Sequence, residues 1–297
     1  MNYDKNIPKQ MRNVFPPRIT TCALTATLAL GLLPLAAQTY RAPRTPDGKP
    51  DLNGIWQALN EANYDLEGHV AQPAMALRPG PYGPVPAAAV LALGAVGAVP
   101  PSLGVVEGGE IPYKPEALAQ KKKNQQDWLN QDPEIKCYLP GVPRATYMPY
   151  PFQIIQSPKT VMFVYEYAGG VRTVYMDSKS KAPADSWMGW SNGHWEGDTL
   201  VVDSDSFNDQ TWLDRAGDFH SDALHVVERY TPRSPETLTY EATIEDPKTF
   251  SRPWKITMPL YRHVEPNAQL LEYKCPEFSE EVLYGNLRKK PAAAPSK

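Results

Sequence analysis

Beyond residue 150 the chain reads as short β-branched and aromatic runs separated by turn residues. Leu238, Tyr240, Ala242 and Ile244 share one strand face, with Thr239, Glu241, Thr243 and Glu245 on the other. Trp254, Ile256, Met258 and Leu260 repeat the alternation. Strands are predicted over 152–157, 161–167, 171–177, 193–197, 199–207, 223–231, 237–245, 254–263 and 270–274, with a short earlier strand at 54–58. So many consecutive strands with one apolar face each predict a mainly β, antiparallel fold that closes into a barrel or sandwich rather than leaving raw edges.

Between the first strand and the rest lies an insertion, residues 59–150. Its stretch 71–106 is rich in Pro, Gly and Ala and carries a single charge, Arg78. It reads as a long loop packed on the body, or as a lid over a pocket. Residues 115–131 are expected to be helical, with Pro115 at the first position and Glu116 in the first turn. The run KKKNQQ offers no apolar stripe, which puts that helix on the surface. One or two short helices are expected in all.

The hairpin 161–177 offers a candidate binding face. A three-residue turn at Ala168-Gly169-Gly170 would set Glu166 opposite Arg172, and Met162 and Val164 opposite Met176 and Val174. Phe163, Tyr165, Tyr167 and Tyr175 would then share the other face. Both faces are apolar, so both are expected to be covered, one by a cavity.

The N-terminus changes the picture of where the chain resides. Residues 1–18 carry Lys5, Lys9, Arg12 and Arg18 against Asp4, residues 21–33 are apolar and uncharged, and Pro34-Leu35-Ala36-Ala37 follows. This is the basic, apolar, small-residue order of a cleavable signal peptide, expected over 1–37. The thirteen-residue apolar run is too short for a bilayer core of ~30 Å. An extended lead (38–53), one barrel domain (54–280) and a flexible tail (281–297) would follow, with no transmembrane segment in the mature chain. Periplasm or external medium is the expected location. Without residues 1–37 the basic residues number 26 and the acidic 32, a net charge of −6 that disfavours a nucleic-acid partner. Two cysteines remain, Cys137 and Cys275, and in an oxidising compartment they are expected to pair. Proline makes up 32 of 297 residues, about twice the ~5% of average proteins, consistent with a fold rich in turns.

Gly54-Ile55-Trp56, following Asp51-Leu52, resembles the G-x-W of the first strand in lipocalin-type (calycin-type) barrels. With the strand meander behind it, this implies a lipocalin-like barrel carrying a long insertion. The stretches PDGKPDLNGIWQ, LGVVEGGEIPYKP, CYLPGVPRATYMPYPFQIIQ, GHWEGDTLVVDS, HSDALHVVERY and TIEDPKTFSRPW also resemble a widespread family of exported bacterial proteins, across most of residues 46–275. That resemblance implies export and one shared fold, and supplies no catalytic residue.

Candidate chemistry is sparse. Gly189-Trp190-Ser191-Asn192-Gly193 matches G-x-S-x-G, but no βαβ alternation surrounds it, so a glycine-rich turn is expected rather than a nucleophile. His220, Asp222 and Glu228 can share a strand face, and a histidine beside a carboxylate can act as an acid or base near neutral pH. The alternative is a hydrogen-bonded histidine at a strand end. Asp203, Asp205, Asn208, Asp209, Asp214 and Asp218 are dense in oxygen ligands, yet Phe207, Asn208 and Asp214 break the EF-hand pattern; a solvated acidic turn is expected and no metal is assigned. Dinucleotide, Walker and zinc-protease motifs are absent from the sequence, and no cofactor is expected.

The functional expectation is an exported barrel that binds a small, partly apolar molecule, with Trp56, Tyr165, Glu166, Tyr167, Arg172 and Tyr175 as lining or rim. The alternatives are a barrel enzyme, an isomerase or hydrolase using His220, and an envelope protein that contacts a partner through loop 71–106.

Overall fold

A computed structural model describes residues 40–73, 77–86 and 98–273. Nine strands form a closed barrel. The first, β1 (Gly54–Ala58), is followed by four short insertion strands, β2 (Gln72–Pro73) to β5 (Ala98–Val99), with the hairpin β3 (Leu77–Gly80) and β4 (Gly83–Pro86) between them. The barrel continues with β6 (Phe152–Gln156), β7 (Thr160–Tyr165), β8 (Val171–Met176), β9 (Trp190–Glu196), β10 (Thr199–Asp205), β11 (His225–Ser234), β12 (Thr237–Glu245) and β13 (Trp254–Arg262). Its ring order is β1-β13-β12-β11-β10-β9-β8-β7-β6. The mainly β, lipocalin-like barrel is therefore present, and β1 closes it by pairing with β13 on one side and β6 on the other.

The expectation of a wholly antiparallel barrel needs correction, because β8 and β9 pair in parallel. Parity requires this. A ring in which every neighbour runs antiparallel must hold an even number of strands, and this ring holds nine. The chain returns to start β9 in the direction of β8 within the thirteen residues between Met176 and Trp190, a length in keeping with the dozen or more that a parallel crossover needs. Gly193 lets the two strands approach, since a Cβ there would lie 2.6 Å from Val174 Cγ1 and 3.0 Å from Met176 Sδ.

The alternation read from β12 and β13 holds. Leu238, Tyr240, Ala242, Ile244, Trp254, Ile256, Met258 and Leu260 are all buried. Across β11, β12 and β13 they stack in layers, Tyr230–Tyr240–Met258 above Glu228–Ala242–Ile256 above Val226–Ile244–Trp254. The expected strand at 270–274 does not form; residues 271–273 lie outside any strand. β13 already has a neighbour on each side, so the ring offers no free edge for another strand.

The G-x-W segment acts as the clasp. Trp56 is 1% exposed, its Nε1 donates to the Leu52 carbonyl at 2.9 Å, and the Arg262 guanidinium lies 4.3 Å over its ring. Gly54, at φ +139, has no room for a Cβ because Arg262 Nη1 occupies that space. Strand β1 is short and meets only Leu260–Arg262 of β13. The insertion covers the rest of that edge: Thr257 N–H donates to the Val105 carbonyl at 3.0 Å and Glu107 N–H to the Lys255 carbonyl at 2.8 Å.

The predicted helix at 115–131 is interrupted at Asp127 into α1 (Pro115–Gln126) and α2 (Trp128–Gln131), and a single helical turn, α3 (Arg144–Tyr147), precedes β6. Pro115 starts α1 as expected, and that helix buries only Ala117 and Asn124. A charged cluster pins this part of the insertion to the barrel loops. Arg144, 1% exposed, bonds Asp132 through both terminal nitrogens at 2.9 and 3.1 Å and reaches Glu134 at 2.6 Å. Arg215, from the loop between β10 and β11, adds two 2.8 Å bonds to Glu134.

Burial pushes the Glu134 carboxyl up, but Arg215 and Arg144 together outweigh it and hold the group down at about 2, against its ordinary 4.5. A depressed carboxyl contributes stability that is present above its unfolded value and lost as pH falls towards the folded one. Thermal unfolding followed by circular dichroism is expected to show Tm falling between about pH 4.5 and 2 for this reason. Glu134→Gln should flatten that acid limb and cost about 3–5 kcal/mol at neutral pH, since it leaves two buried guanidinium groups short of a partner.

Candidate functional site

The hairpin β7–β8 has a different register from the one expected. Val164 pairs with Val171 and Phe163 with Arg172, so Glu166 does not face Arg172, and Met162 faces Thr173. The connection is longer than three residues because Tyr167–Gly169 forms a 3-10 turn, with Ala168 at φ 54, and Tyr165 N–H bonds the Gly170 carbonyl at 2.8 Å. The shift is odd, so it exchanges the faces of β8 relative to β7. Val161, Phe163 and Tyr165 point inward together with Arg172 and Val174, while Val171, Thr173 and Tyr175 point outward.

The six candidate lining residues separate accordingly. Trp56, Tyr165 and Arg172 lie in the barrel interior, all 3% exposed or less. Tyr167 is buried at the end of β7, with its hydroxyl donating to the Glu134 carbonyl at 2.8 Å. Glu166 is half-buried and its Oε2 accepts from Leu271 N–H at 2.8 Å. Tyr175 is on the outer side, stacked on Trp190 with ring centroids 4.8 Å apart.

Arg172 is the centre of a polar cluster inside the barrel. Its Nε donates to Ser191 Oγ and its Nη2 to Ser204 Oγ, both at 2.8 Å, and Nη2 also forms a short ion pair with Glu228 Oε2. Glu228 belongs to β11, which is not a ring neighbour of β8, so the pair spans the interior. The other Glu228 oxygen accepts from Tyr230 and Tyr240 at 2.8 and 2.9 Å. Burial, with the adjacent Glu228 carboxylate, holds both phenols protonated well above the ordinary tyrosine range. Burial opposes the charge on Arg172, yet Glu228 more than compensates and its pKa is raised. The Phe163 ring lies 5.5 Å from the guanidinium and touches Tyr230 across the barrel at 5.1 Å. Arg172 Nη1 and the Tyr165 hydroxyl make no well-aligned hydrogen bond; burial raises the pKa of that hydroxyl, and Arg172 and Thr146 lie close enough to it to offset part of the rise.

A cleft opens at the parallel seam. Strands β8 and β9 pair only over Val174–Met176 and Ser191–Gly193. Ahead of that pairing, β8 and the crossover loop enclose a cleft of about 380 Å³, lined by Leu139, Val171, Arg172, Tyr175, Trp187, Met188 and Trp190 among others. Trp187 packs on Tyr138 at 5.0 Å. Such a volume suits a small ligand, and an apolar wall with few polar groups is the usual composition of a binding site. The sequence reading included Arg172 and Tyr175 but missed Leu139, Trp187, Met188 and Trp190, because the cleft lies at the seam where two neighbouring strands run parallel. The inward serines, Ser191 and Ser204, were not read from the sequence, since Ser191 was expected in a turn and both strands carry other polar residues.

The remaining candidates fall in separate places. His220, 2% exposed, precedes β11, with Nε2 bonded to Thr211 Oγ1 at 2.5 Å and Nδ1 to the Ser221 carbonyl at 2.8 Å. Burial lowers its pKa, so the ring is neutral near pH 7. Asp222 is exposed and pairs with Lys248 at 2.5 Å. The period-two argument that aligned these residues with Glu228 fails because β11 begins only at His225. Ser191 lies on a strand, not in a glycine-rich turn, and its hydroxyl meets Arg172 and Ser204. The acidic stretch is likewise not one solvated turn: Asp203, Asp205 and Asp209 are exposed, but Asp214 and Asp218 are 0% exposed. Cys275 lies outside the described residues, as do the signal segment, the C-terminal tail and residues 87–97 of the loop.

No family model, curated protein or solved structure matches the chain. No helix among the described residues is long and apolar enough to cross a membrane.

Arg172→Met and Glu228→Gln should each lower stability by about 3–5 kcal/mol, because each leaves a buried charge or its donors unpaired. The double variant should recover much of that loss. Urea unfolding of the four proteins measures the coupling, and strictly additive losses would contradict the pairing.

Proposed function

We propose that this chain is an exported barrel protein that binds a small, partly apolar molecule carrying a hydrogen-bond acceptor or anionic group, in the cleft beside β8. The observation that carries the reading is the cleft wall formed largely by Leu139, Val171, Tyr175, Trp187, Met188 and Trp190, with Arg172, Thr173 and Ser186 as polar members of the same lining. A ligand's acceptor would meet a donor among these polar groups, which fix orientation in an otherwise apolar site. The aromatic wall would take the apolar portion.

The test is a titration of purified protein with 1-anilinonaphthalene-8-sulfonate and with medium-chain fatty acids and their matched alcohols. Saturable binding is expected, with acids favoured over alcohols. Trp187→Ala should weaken it by about tenfold, on the scale of one large aromatic contact. Absence of saturable binding, or undiminished affinity in Trp187→Ala, would overturn the assignment.

Export fits the basic, apolar and small-residue order of residues 1–37, and we propose that the chain belongs with the exported bacterial proteins it resembles. We also propose that Cys137 and Cys275 pair. Tyr273, two residues before Cys275, packs on Tyr167 at 4.9 Å, and Tyr167 bonds the carbonyl of Glu134, three residues before Cys137. Intact mass of the exported protein after alkylation should show no modified thiol until reductant is added; two thiols alkylated without reductant would rule the bridge out.

A second reading, contact with a partner protein through residues 71–106, is supported by the complete exposure of Tyr82 and Leu103.

A further inference from the structure

We propose that Asp65, Asp214 and Asp218 form a binding site for a hard divalent cation of the Ca2+ or Mg2+ class. One ligand oxygen from each of the three lies within 4.8 Å of the others. Asp65 follows β1 in the insertion, and Asp214 and Asp218 come from the loop between β10 and β11, so the fold assembles the group from two distant segments.

Most of the lone pairs are already in use, which isolates the ones that are not. Asp65 Oδ1 accepts from Glu67 N–H at 2.9 Å. Asp214 accepts from Leu66 N–H at 2.9 Å and from Asp218 N–H at 3.1 Å. Asp218 Oδ1 accepts from the Tyr113 hydroxyl at 2.8 Å and from Lys121 Nζ at 3.0 Å. Asp218 Oδ2 accepts from no N–H or O–H donor, in a side chain that is 0% exposed, and its neighbour is the Asp214 carboxyl, a second acceptor. A buried carboxylate oxygen left bare beside two other carboxylates needs a positive neighbour.

The charge count agrees. Asp132 and Glu134 are balanced by Arg144 and Arg215. Next to them, Asp65, Glu67, Asp214 and Asp218 have Lys121 as their directly bonded cation, at 2.9 Å from Glu67 as well as bonding Asp218, with Arg144 acting on Asp214 from farther off. A divalent cation would remove two of the three surplus negative charges. The all-oxygen donor set selects hard cations over zinc or copper. A polar pocket of about 180 Å³, lined by Tyr64, Asp65, Gln72, Gln125, Trp128 and Arg215 among others, provides solvent access at Asp65 for the ion and its remaining water ligands.

The competing occupant is a proton shared among the three acids, and the experiment separates the two. Full-length mature protein, stripped with EDTA, is titrated with Tb3+, using tyrosine excitation because Tyr113 touches Asp218, and then with Ca2+ and Mg2+ as competitors. Native mass spectrometry counts the bound ions, and Tm is followed in parallel. One bound equivalent, competed by Ca2+ or Mg2+ and raising Tm, supports the site. Asp65→Asn is the first variant, because asparagine can still accept the Glu67 N–H while losing the charge; affinity should fall on the order of tenfold or more. Asp218→Asn should abolish binding, and Asp65→Asn keeps the question open to test should Asp218→Asn fail to fold. No bound ion up to about 10 mM, above the weakest extracellular calcium modules, would overturn the proposal. So would equal affinity in Asp65→Asn, or a Tm gain in Asp65→Asn without any cation response of the parent protein, the result expected of a shared proton.

Discussion

An odd number of strands cannot close with every neighbour antiparallel, and this constraint organises the molecule. The nine-stranded ring satisfies it at one place, between β8 and β9, where a thirteen-residue crossover brings the chain back to run in the same direction. The parallel pairing is short, so the start of β8 separates from the crossover loop and leaves a cleft there. Arg172 sits on β8 at this opening, while its side chain bonds Ser191, Ser204 and Glu228 inside the barrel. The same position that relieves the topological mismatch therefore joins the outer cleft to the polar interior.

The barrel interior contains charge, and the arrangement tolerates it by near-complete pairing. Glu228 receives three donors, and in the separate cluster where the insertion meets the barrel loops Arg144 and Glu134 are each bonded by several groups. Ion pairs of this kind add little net stability compared with apolar packing, but they penalise wrong arrangements heavily. Against that background the imperfectly paired atoms stand out. Arg172 Nη1 lies near the Tyr165 hydroxyl inside the barrel, and Asp218 Oδ2 lies against the Asp214 carboxyl.

Much of the barrel was legible in the sequence because its information is local. The alternation over 237–245 gives β12 at its observed limits, and Gly54-Ile55-Trp56 marks the first strand. What escaped depends on partners distant in sequence. The register of β7 and β8 turned on a 3-10 turn at Tyr167–Gly169, which the glycine pair disguised as a tighter loop. Residues 270–274 have strand-like composition but meet a ring without a free edge, and Leu271 and Tyr273 dock instead on Glu166 and Tyr167. Asp214 and Asp218 looked like surface acids because nothing nearby in sequence announces Asp65, Tyr113 or Lys121 as their neighbours.

The placement of β1 has a kinetic consequence. Strands β6 to β13 follow one another round the ring in chain order, joined by short connections apart from the crossover between β8 and β9 and the longer loop between β10 and β11, so they can pair as each neighbour becomes available. Strand β1 instead pairs at Trp56–Ala58 with Leu260–Arg262, about 200 residues later in the chain. Closing so large a loop carries a high entropic cost before any contact offsets it. As the chain is made from N to C terminus, Trp56 meets its β6 partner Phe152 well before its β13 partner Arg262, so one edge of β1 stays open until almost the whole domain has followed. Closure against β13 is then the last pairing to become available, and a chain stalled before residue 262 presents an open barrel with an unsealed edge.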